Sequence, residues 1–443
     1  MKLTLFVIPV WSALAVAATS VAADPAGPTS WKFDFGTGPV APGYVQVTPA
    51  SLFSAEAGFG FEPGAELVAV DRGGEDALHR DYLLGAKPCF FSVAVPEGNY
   101  NVTVQLGDAQ AEAVATVKAE SRRLMIERLD AAPGKFAART FTVNVRNGRL
   151  TPPPVNAPGG SAVLLNEREK DSRTWDDKLT LEFNGAAPKI CGLEITKVEC
   201  PTMFLAGDST VTDQMQEPGA SWGQMLPRFF KPGVAVANYA ESGETLKSFA
   251  TELRLAKLLS QLKAGDWLLI QFGHNDEKAQ WPQTYVEAHT TYKAYLKVYI
   301  AEARLRGANP VLVTSMQRRT FDGTGHIKNS HGDYPAAVRE VAAEEKVPLI
   351  DLELASVKLY EALGPEKAPT MFSRDGQDAT HHNNYGAYEL AKCVVQGLRD
   401  ARVPLAQFIV DDFAGFDPAK PDALEFFAVP PSPGRSDAAP RGN

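Results

Sequence analysis

Cysteine is scarce: only Cys89, Cys191, Cys200 and Cys393, with no C-x-x-C pair among them. That spacing gives a zinc site little support. In an exported chain the four could form disulfides in three connectivities, or stay as isolated buried thiols. Long apolar runs are scarce too. One lies at the N-terminus, the largely apolar Leu3 to Ala18, and no other segment approaches transmembrane length. Positive charge is in deficit: 44 Lys and Arg against 53 Asp and Glu leave a net charge of -9. Such a deficit argues against non-specific nucleic-acid binding. An acidic polymer could bind only where basic groups gather locally.

The N-terminal run has the marks of a secretory signal. Lys2 supplies the positive start and Val21-Ala22-Ala23 the small-residue cleavage pattern. Residues 1–23 are therefore expected to be a signal peptide, and the protein secreted or periplasmic. An uncleaved anchor is the alternative. Cleavage near Asp24 leaves no membrane partner.

A chain of 443 residues is long enough for two domains. Residues 24–199 read as all-β. "FFSVAVPEGNYNVTVQLGD" alternates Phe91, Val93 and Val95, then Tyr100, Val102, Val104 and Leu106, around a Pro96-Glu97-Gly98 turn. "FTVNVRNG" and "LTLEFNG" repeat the pattern, each closed by Asn-Gly. Short strands without a helical period predict a β-sandwich. "TPPPVNAPGGSA", Thr151 to Ala162, reads as a loop.

From Pro201 the grammar changes. Apolar runs at Met203 to Ala206, Val234 to Asn238, Trp267 to Gln271, Val311 to Thr314 and Pro348 to Asp351 alternate with amphipathic stretches. Thr284 to Leu305 is the clearest helix, with Tyr292, Tyr295, Leu296, Tyr299, Ile300 and Ala303 on one stripe, read as core. The alternation over residues 200–408 predicts an α/β domain, a parallel sheet covered by helices on both faces. Residues 409–443 read as an irregular tail packed through Phe413, Phe416, Phe426 and Phe427. Its end, "PPSPGRSDAAPRGN", is expected to be disordered.

Chemistry collects at strand ends, where such sheets bind ligands. "FLAGDSTVTD" delivers Ser209 just past the first strand. Singly, Gly-Asp-Ser-Thr is also a plain turn or helix cap. "NYAESGET" supplies Gly243 after the second strand, and "QFGHNDE" supplies Asn275 after the third. "DGQDATHHNNYG", Asp375 to Gly386, precedes the last helix, expected to start around Asn384. A nucleophilic serine needs a base, and His381 lies three residues after Asp378, a spacing that lets the carboxylate fix the imidazole. His382 is read as the bland neighbour. The N–H groups of Ser209 and Gly243 and the Asn275 amide could converge on an oxyanion.

These residues resemble a known family. Gly207-Asp208-Ser209, Gly243, Gly273-x-Asn275-Asp276 and Asp378-x-x-His381 match the four blocks of the SGNH (GDSL-like) hydrolases. "AGDSTV", "WGQML", "FGHND", "RRTFDGTG", "YPAAVREVA" and "VPLIDL" resemble the rhamnogalacturonan acetylesterases, carbohydrate esterase family twelve. "WKFDFGTG", "VPEGNYNVTVQLGD" and "TWDDKLTLEFNG" resemble the galactose-binding-like sandwich that precedes some members.

The resemblance implies a three-layer, flavodoxin-like α/β/α domain at 200–408. It implies Ser209 as nucleophile, His381 as base, Asp378 as orienting carboxylate, and Ser209, Gly243 and Asn275 as oxyanion donors. No metal or cofactor is implied. The implied partner is an acetylated polysaccharide or oligosaccharide, rhamnogalacturonan above others; a monomer is expected. Relatives often carry Arg where this chain has Glu244, which touches substrate fit rather than reaction class.

Other readings stay open. An acetylxylan esterase or other carbohydrate acetylesterase, a lipase or lysophospholipase, and a non-catalytic carbohydrate-binding protein all fit parts of the pattern. A metal-dependent hydrolase would recruit His326, His331, His381, His382 and Asp378, but His326-x-x-x-x-His331 fits no strong ligand motif. For an acidic substrate, Arg318 and Arg319 follow the fourth strand on the nucleophile's side, where guanidinium groups would suit a carboxylate. They could equally hold the loop together. Because all four blocks lie beyond residue 200, a fragment from about Lys197 is expected to hydrolyse a small ester alone.

Overall fold

A computed structural model describes residues 28–152, 156–157 and 159–438; the expected leader, 1–23, lies outside them. The N-terminal half is two packed sheets. One runs in the order Lys135–Val145, Gly98–Asp108, Lys189–Val198, Ser30–Phe35, Val45–Val47, with Leu67–Asp71 and Asp81–Gly85 joined through Lys189–Val198. The other runs Phe59–Phe61, Cys89–Ala94, Lys178–Ala187, Ala113–Ala119, Arg123–Ala131. Alternation sets the inner face: Tyr100, Val102, Val104 and Leu106 are all fully buried, against Phe33, Phe35, Phe91 and Val117.

Two turn signals act differently from expectation. Pro96-Glu97-Gly98 carries the chain from one sheet to the other. Asn184-Gly185 ends no strand. It is a bulge within Lys178–Ala187, where Gly185 takes φ +116° and a Cβ would meet Val114 O at 2.9 Å. None of the four cysteines forms a disulfide, and Cys89, Cys191 and Cys393 are buried thiols.

The C-terminal half is an α/β/α sandwich of three layers. Its five strands are all parallel, in the order Ala235–Asn238, Thr202–Gly207, Trp267–Gln271, Asn309–Val313, Leu349–Ile350. Each strand feeds both faces. Met203 and Leu205 face the helices Leu352–Lys367 and Asn384–Asp400, while Phe204 and Ala206 face Leu246–Thr251, Arg254–Gln261, Lys293–Leu305 and Tyr334–Glu345. Such burial on both sides is why these strands read as continuous apolar runs. The first strand has the second on one side and the third on the other. Its carboxyl end is therefore the point where the connections diverge and a ligand crevice opens.

The expected helix Thr284 to Leu305 begins as one wide π turn, Ala288–Tyr292, and becomes α-helical at Lys293–Leu305. No helix among the described residues is long and apolar enough to cross a membrane.

The tail is irregular in secondary structure but not loose as far as residue 438. Lys118 Nζ donates to Pro430 O and Ser432 Oγ, both at 2.7 Å, and Ser432 N donates to Glu217 Oε1 at 2.9 Å. Glu217 N donates to Gly434 O at 3.0 Å, and Ser436 N to Glu217 O at 2.7 Å. The segment expected to be disordered is thus strapped across both halves up to residue 438. Residues 439–443 lie outside the described ones.

Candidate active site

Gly207 ends the first strand with no room for a side chain: a Cβ would lie 2.5 Å from Val211 Cγ2 and 2.9 Å from Gln271 O. The chain then turns on Asp208, whose carbonyl accepts from the N–H groups of Val211 and Thr212, both at 3.0 Å. Asp208 Oδ1 accepts from Thr210 N at 2.9 Å and Thr210 Oγ1 at 2.8 Å. Burial pushes the Asp208 carboxyl up, but His274, 3.4 Å away, and the Thr210 bonds outweigh it and hold the group below its usual range. The turn presents Ser209 at the crevice, with Gln214 Nε2 donating to its carbonyl at 2.9 Å.

His381 meets it from the segment before the last helix. Ser209 Oγ and His381 Nε2 are 2.8 Å apart, and His381 Nδ1 lies 3.0 Å from Asp378 Oδ2. Asp378 Oδ1 accepts from Thr380 N at 2.7 Å and His381 N at 2.9 Å. Burial raises this carboxyl, yet the bonds and charge of His381 prevail and hold it well below the carboxylate range. The structure thus brings Ser209, His381 and Asp378 into one relay.

His382 points the other way. It is buried on Phe372, hydrogen-bonded through Nε2 to Tyr360 Oη at 2.8 Å, and burial pushes its pKa down to about 3.

Gly243 has φ +85°, open to glycine without strain. Among the described residues, the N–H groups of Ser209 and Gly243 meet no protein acceptor. Asn275 Nδ2 spends one hydrogen on Glu244 O at 3.1 Å and keeps the other. Beneath this set the tyrosine stripe does more than pack. Tyr292 Oη donates to Phe272 O at 2.7 Å and Tyr299 Oη to Leu246 O at 2.8 Å, fixing the loops that carry Asn275 and Gly243.

Glu244, the departure from the family pattern, turns away from this centre. Its carboxylate enters a buried cluster with Arg254, 3.3 Å away, and Arg254 grips Glu169 at 2.8 and 2.6 Å.

His381 lines a cavity of about 420 Å³ with Gln214, Gln216, Ser373 and Arg374. Arg168 and Asp171, from the segment between two sandwich strands, and Ser436, from the tail, complete the wall. None of Arg168, Asp171, Arg374 or Ser436 stood out in the sequence, since no motif spans parts so far apart.

Arg318 and Arg319 do not line it. Arg318 pairs with Glu277 at 2.7 Å and donates to Ser330 O at 3.0 Å and His274 O at 3.2 Å. Arg319 donates through Nη2 to Gly376 O at 2.5 Å and Asp378 O at 3.2 Å, over the Phe372 ring. Both guanidiniums hold loops, the second of the two roles open to them from the sequence.

No group of three metal-ligating side chains gathers among the described residues. His331 Nδ1 lies 2.8 Å from Glu277, and His326 3.3 Å from Glu361.

Residues 205–388 match the GDSL-like Lipase/Acylhydrolase family, and residues 31–151 match the Beta-agarase/YXIM esterase-like, galactose-binding domain-like family. Rhamnogalacturonan acetylesterase RhgT of Bacillus subtilis (strain 168) is 41% identical over 221 residues, 47% of this chain and 94% of that protein. The uncharacterized esterase YxiM of the same organism is 30% identical over 383 residues, 84% of this chain and 92% of its own. The crystal structure of a Bacillus subtilis YxiM protein aligns at 27% identity with a TM-score of 0.46, over 87% of this chain and 100% of the other. The match to YxiM runs through both halves, and the four motif blocks fall inside the hydrolase match: the chain belongs to the GDSL-like lipase/acylhydrolase family and is a carboxylic ester hydrolase.

Proposed function

We propose that the protein is an exported, monomeric esterase that removes acetyl groups from a plant cell-wall polysaccharide, rhamnogalacturonan first among them. Ser209, His381 and Asp378 carry the reaction. The observation that supports this most is the unbroken relay from Asp378 through His381 to Ser209, with His381 on the wall of a cavity of about 420 Å³. His381 Nε2 takes the proton as Ser209 Oγ attacks the acetyl carbonyl. Ser209 N, Gly243 N and Asn275 Nδ2 stabilise the resulting oxyanion. The sugar oxygen leaves with the proton from His381. Water then enters by the same base and releases acetate from the acetyl-serine.

Gln214, Gln216, Ser373 and Ser436 offer a sugar hydrogen bonds along a wall that Met215, Pro218 and Ala438 complete with apolar surface. The name of the relative RhgT supports the pectic substrate.

The test is acetate release from acetylated rhamnogalacturonan, acetylated xylan and an aryl acetate. Ser209→Ala should lose at least about three orders of magnitude on all three with an unchanged Tm. Near wild-type turnover in that variant would end the serine-esterase reading. Faster release from xylan than from the pectic polymer would move the substrate.

A further inference from the structure

Arg374 sits one residue before the motif that carries the base, and its surroundings set it apart. Arg374, Asp375 and Gly376 take φ of +52°, +53° and +80° in succession. Two adjacent non-glycine residues in the left-handed region are costly, and such strain clusters where a site needs a particular presentation.

The turn is held from its inner side. Gly376 N donates to Ser373 O at 3.1 Å and Gln377 N to Arg374 O at 3.0 Å, while Arg319 holds the carbonyls of Gly376 and Asp378. Asp375 is drawn outward to Arg435, 3.6 Å away. The Arg374 side chain is left half-buried on the cavity wall beside His381.

The other charged groups on that wall are Arg168 and Asp171. Arg168 is neutralised by Glu241, to which its Nε donates at 2.8 Å, and Asp171 is the single carboxylate of the lining. Among the described residues, the Arg374 guanidinium has no hydrogen-bond or ion-pair partner. A net-acidic chain thus keeps a guanidinium without an ion-pair partner on the wall that holds its catalytic base.

Resting on the acetylesterase reading above, we propose that Arg374 determines specificity by binding a uronate carboxylate of the acetylated chain. The planar fork takes the two carboxylate oxygens side by side and so fixes which neighbouring ester reaches Ser209. Neutral acetylated sugars enter the same cavity without that anchor.

The experiment compares kcat/KM for acetate release from an acetylated uronate oligosaccharide and from the same oligosaccharide with its carboxylates methyl-esterified. An aryl acetate reports the esterase reading separately. The full-length wild type should favour the acidic form, and added salt should erode the preference. Arg374→Gln should lower the acidic-to-neutral ratio about 10- to 100-fold, mainly through KM, as expected for a lost charged hydrogen-bond pair. Arg374→Lys should recover part of it.

Arg374→Gly relieves the left-handed backbone while deleting the guanidinium. It should lower the ratio equally without lowering Tm, which separates recognition from folding. If the wild type hydrolyses the aryl acetate but prefers the acidic form no more than the neutral one, the inference falls and the esterase stands. An unchanged ratio in Arg374→Gln and Arg374→Gly overturns it as well. Failure on every acetate removes both readings.

Discussion

Adjacent histidines take opposite jobs here because their side chains leave the backbone in opposite directions. His381 faces Ser209; His382 lies among Phe372 and Tyr360 in the core. His381→Ala should therefore abolish turnover nearly as fully as Ser209→Ala while melting close to wild type. His382→Gln should lower Tm and keep measurable turnover. The second variant also has a pH signature. Burial pushes His382 down to about 3 and His274 down to about 4, against an ordinary 6.5. As pH falls below about 6.5 the unfolded chain takes up protons that the folded chain refuses. Their contribution is complete above that pH and is lost as pH drops towards 4 and below. Tm should fall over this window in the wild type and fall less steeply in His382→Gln; parallel curves would assign the acid sensitivity to other groups. The relay residues were legible in the sequence because block order and the Asp378-x-x-His381 spacing are local patterns. Arg374 was not. Its role depends on a cavity wall drawn from residues 168 to 438 and on a backbone conformation that no residue type announces.

At the scale of elements, the turn from Ser373 to Asp378 and the loop around Arg319 form one device. Arg319 N donates to Ala379 O at 2.8 Å, and its guanidinium holds two further carbonyls of the turn. Arg319→Met should free the turn that carries both Asp378 and Arg374. Because the relay itself shifts, kcat/KM should fall about 10- to 100-fold on acidic and neutral acetates alike, with a lower Tm. A loss confined to the acidic substrate would make Arg319 a substrate contact after all. The β-α alternation made the sheet legible: all five apolar runs became parallel strands, Trp267–Gln271 with both ends as expected and the others with ends shifted by at most two residues, because pairing, not propensity, sets where a strand stops. Asn184-Gly185 was misleading for a related reason. The dipeptide permits left-handed backbone, and whether that serves a hairpin or a bulge is decided by the neighbouring strand Ala113–Ala119.

Across the whole molecule, the two halves are joined by buried chemistry, a long-range arrangement without any trace in local pattern. The tip linking strands Ala113–Ala119 and Arg123–Ala131 enters the α/β half directly behind the nucleophile. Arg122 Nη1 donates to Gly219 O at 2.8 Å and Gln214 O at 3.2 Å, on the cavity wall, and Arg122 pairs with Glu217 at 2.6 Å. Arg123 pairs with Asp213 at 2.6 Å, both fully buried, and Leu124 packs inside the core of the α/β half. Arg146 stacks on Tyr239 and donates to Asn238 O. A fragment from about Lys197 would strip these partners from Asp213 and Glu217 and empty the place of Leu124. Removing one member of a buried pair costs about 3–5 kcal/mol, a large share of the roughly 5–15 kcal/mol that holds a domain together. The fragment should therefore be insoluble, or soluble with little hydrolysis of even an aryl acetate. In the full-length protein, Arg123→Met should lower Tm strongly by leaving Asp213 buried without its cation. The pair Arg123→Met with Asp213→Leu should recover part of that loss, because neither member of the pair is then buried without the other, while Arg146 keeps only Glu120 as a nearby acidic group. A fragment that folds and turns over the aryl acetate at the wild-type rate would instead make the sandwich a separable appendage, and the interface a matter of stability alone.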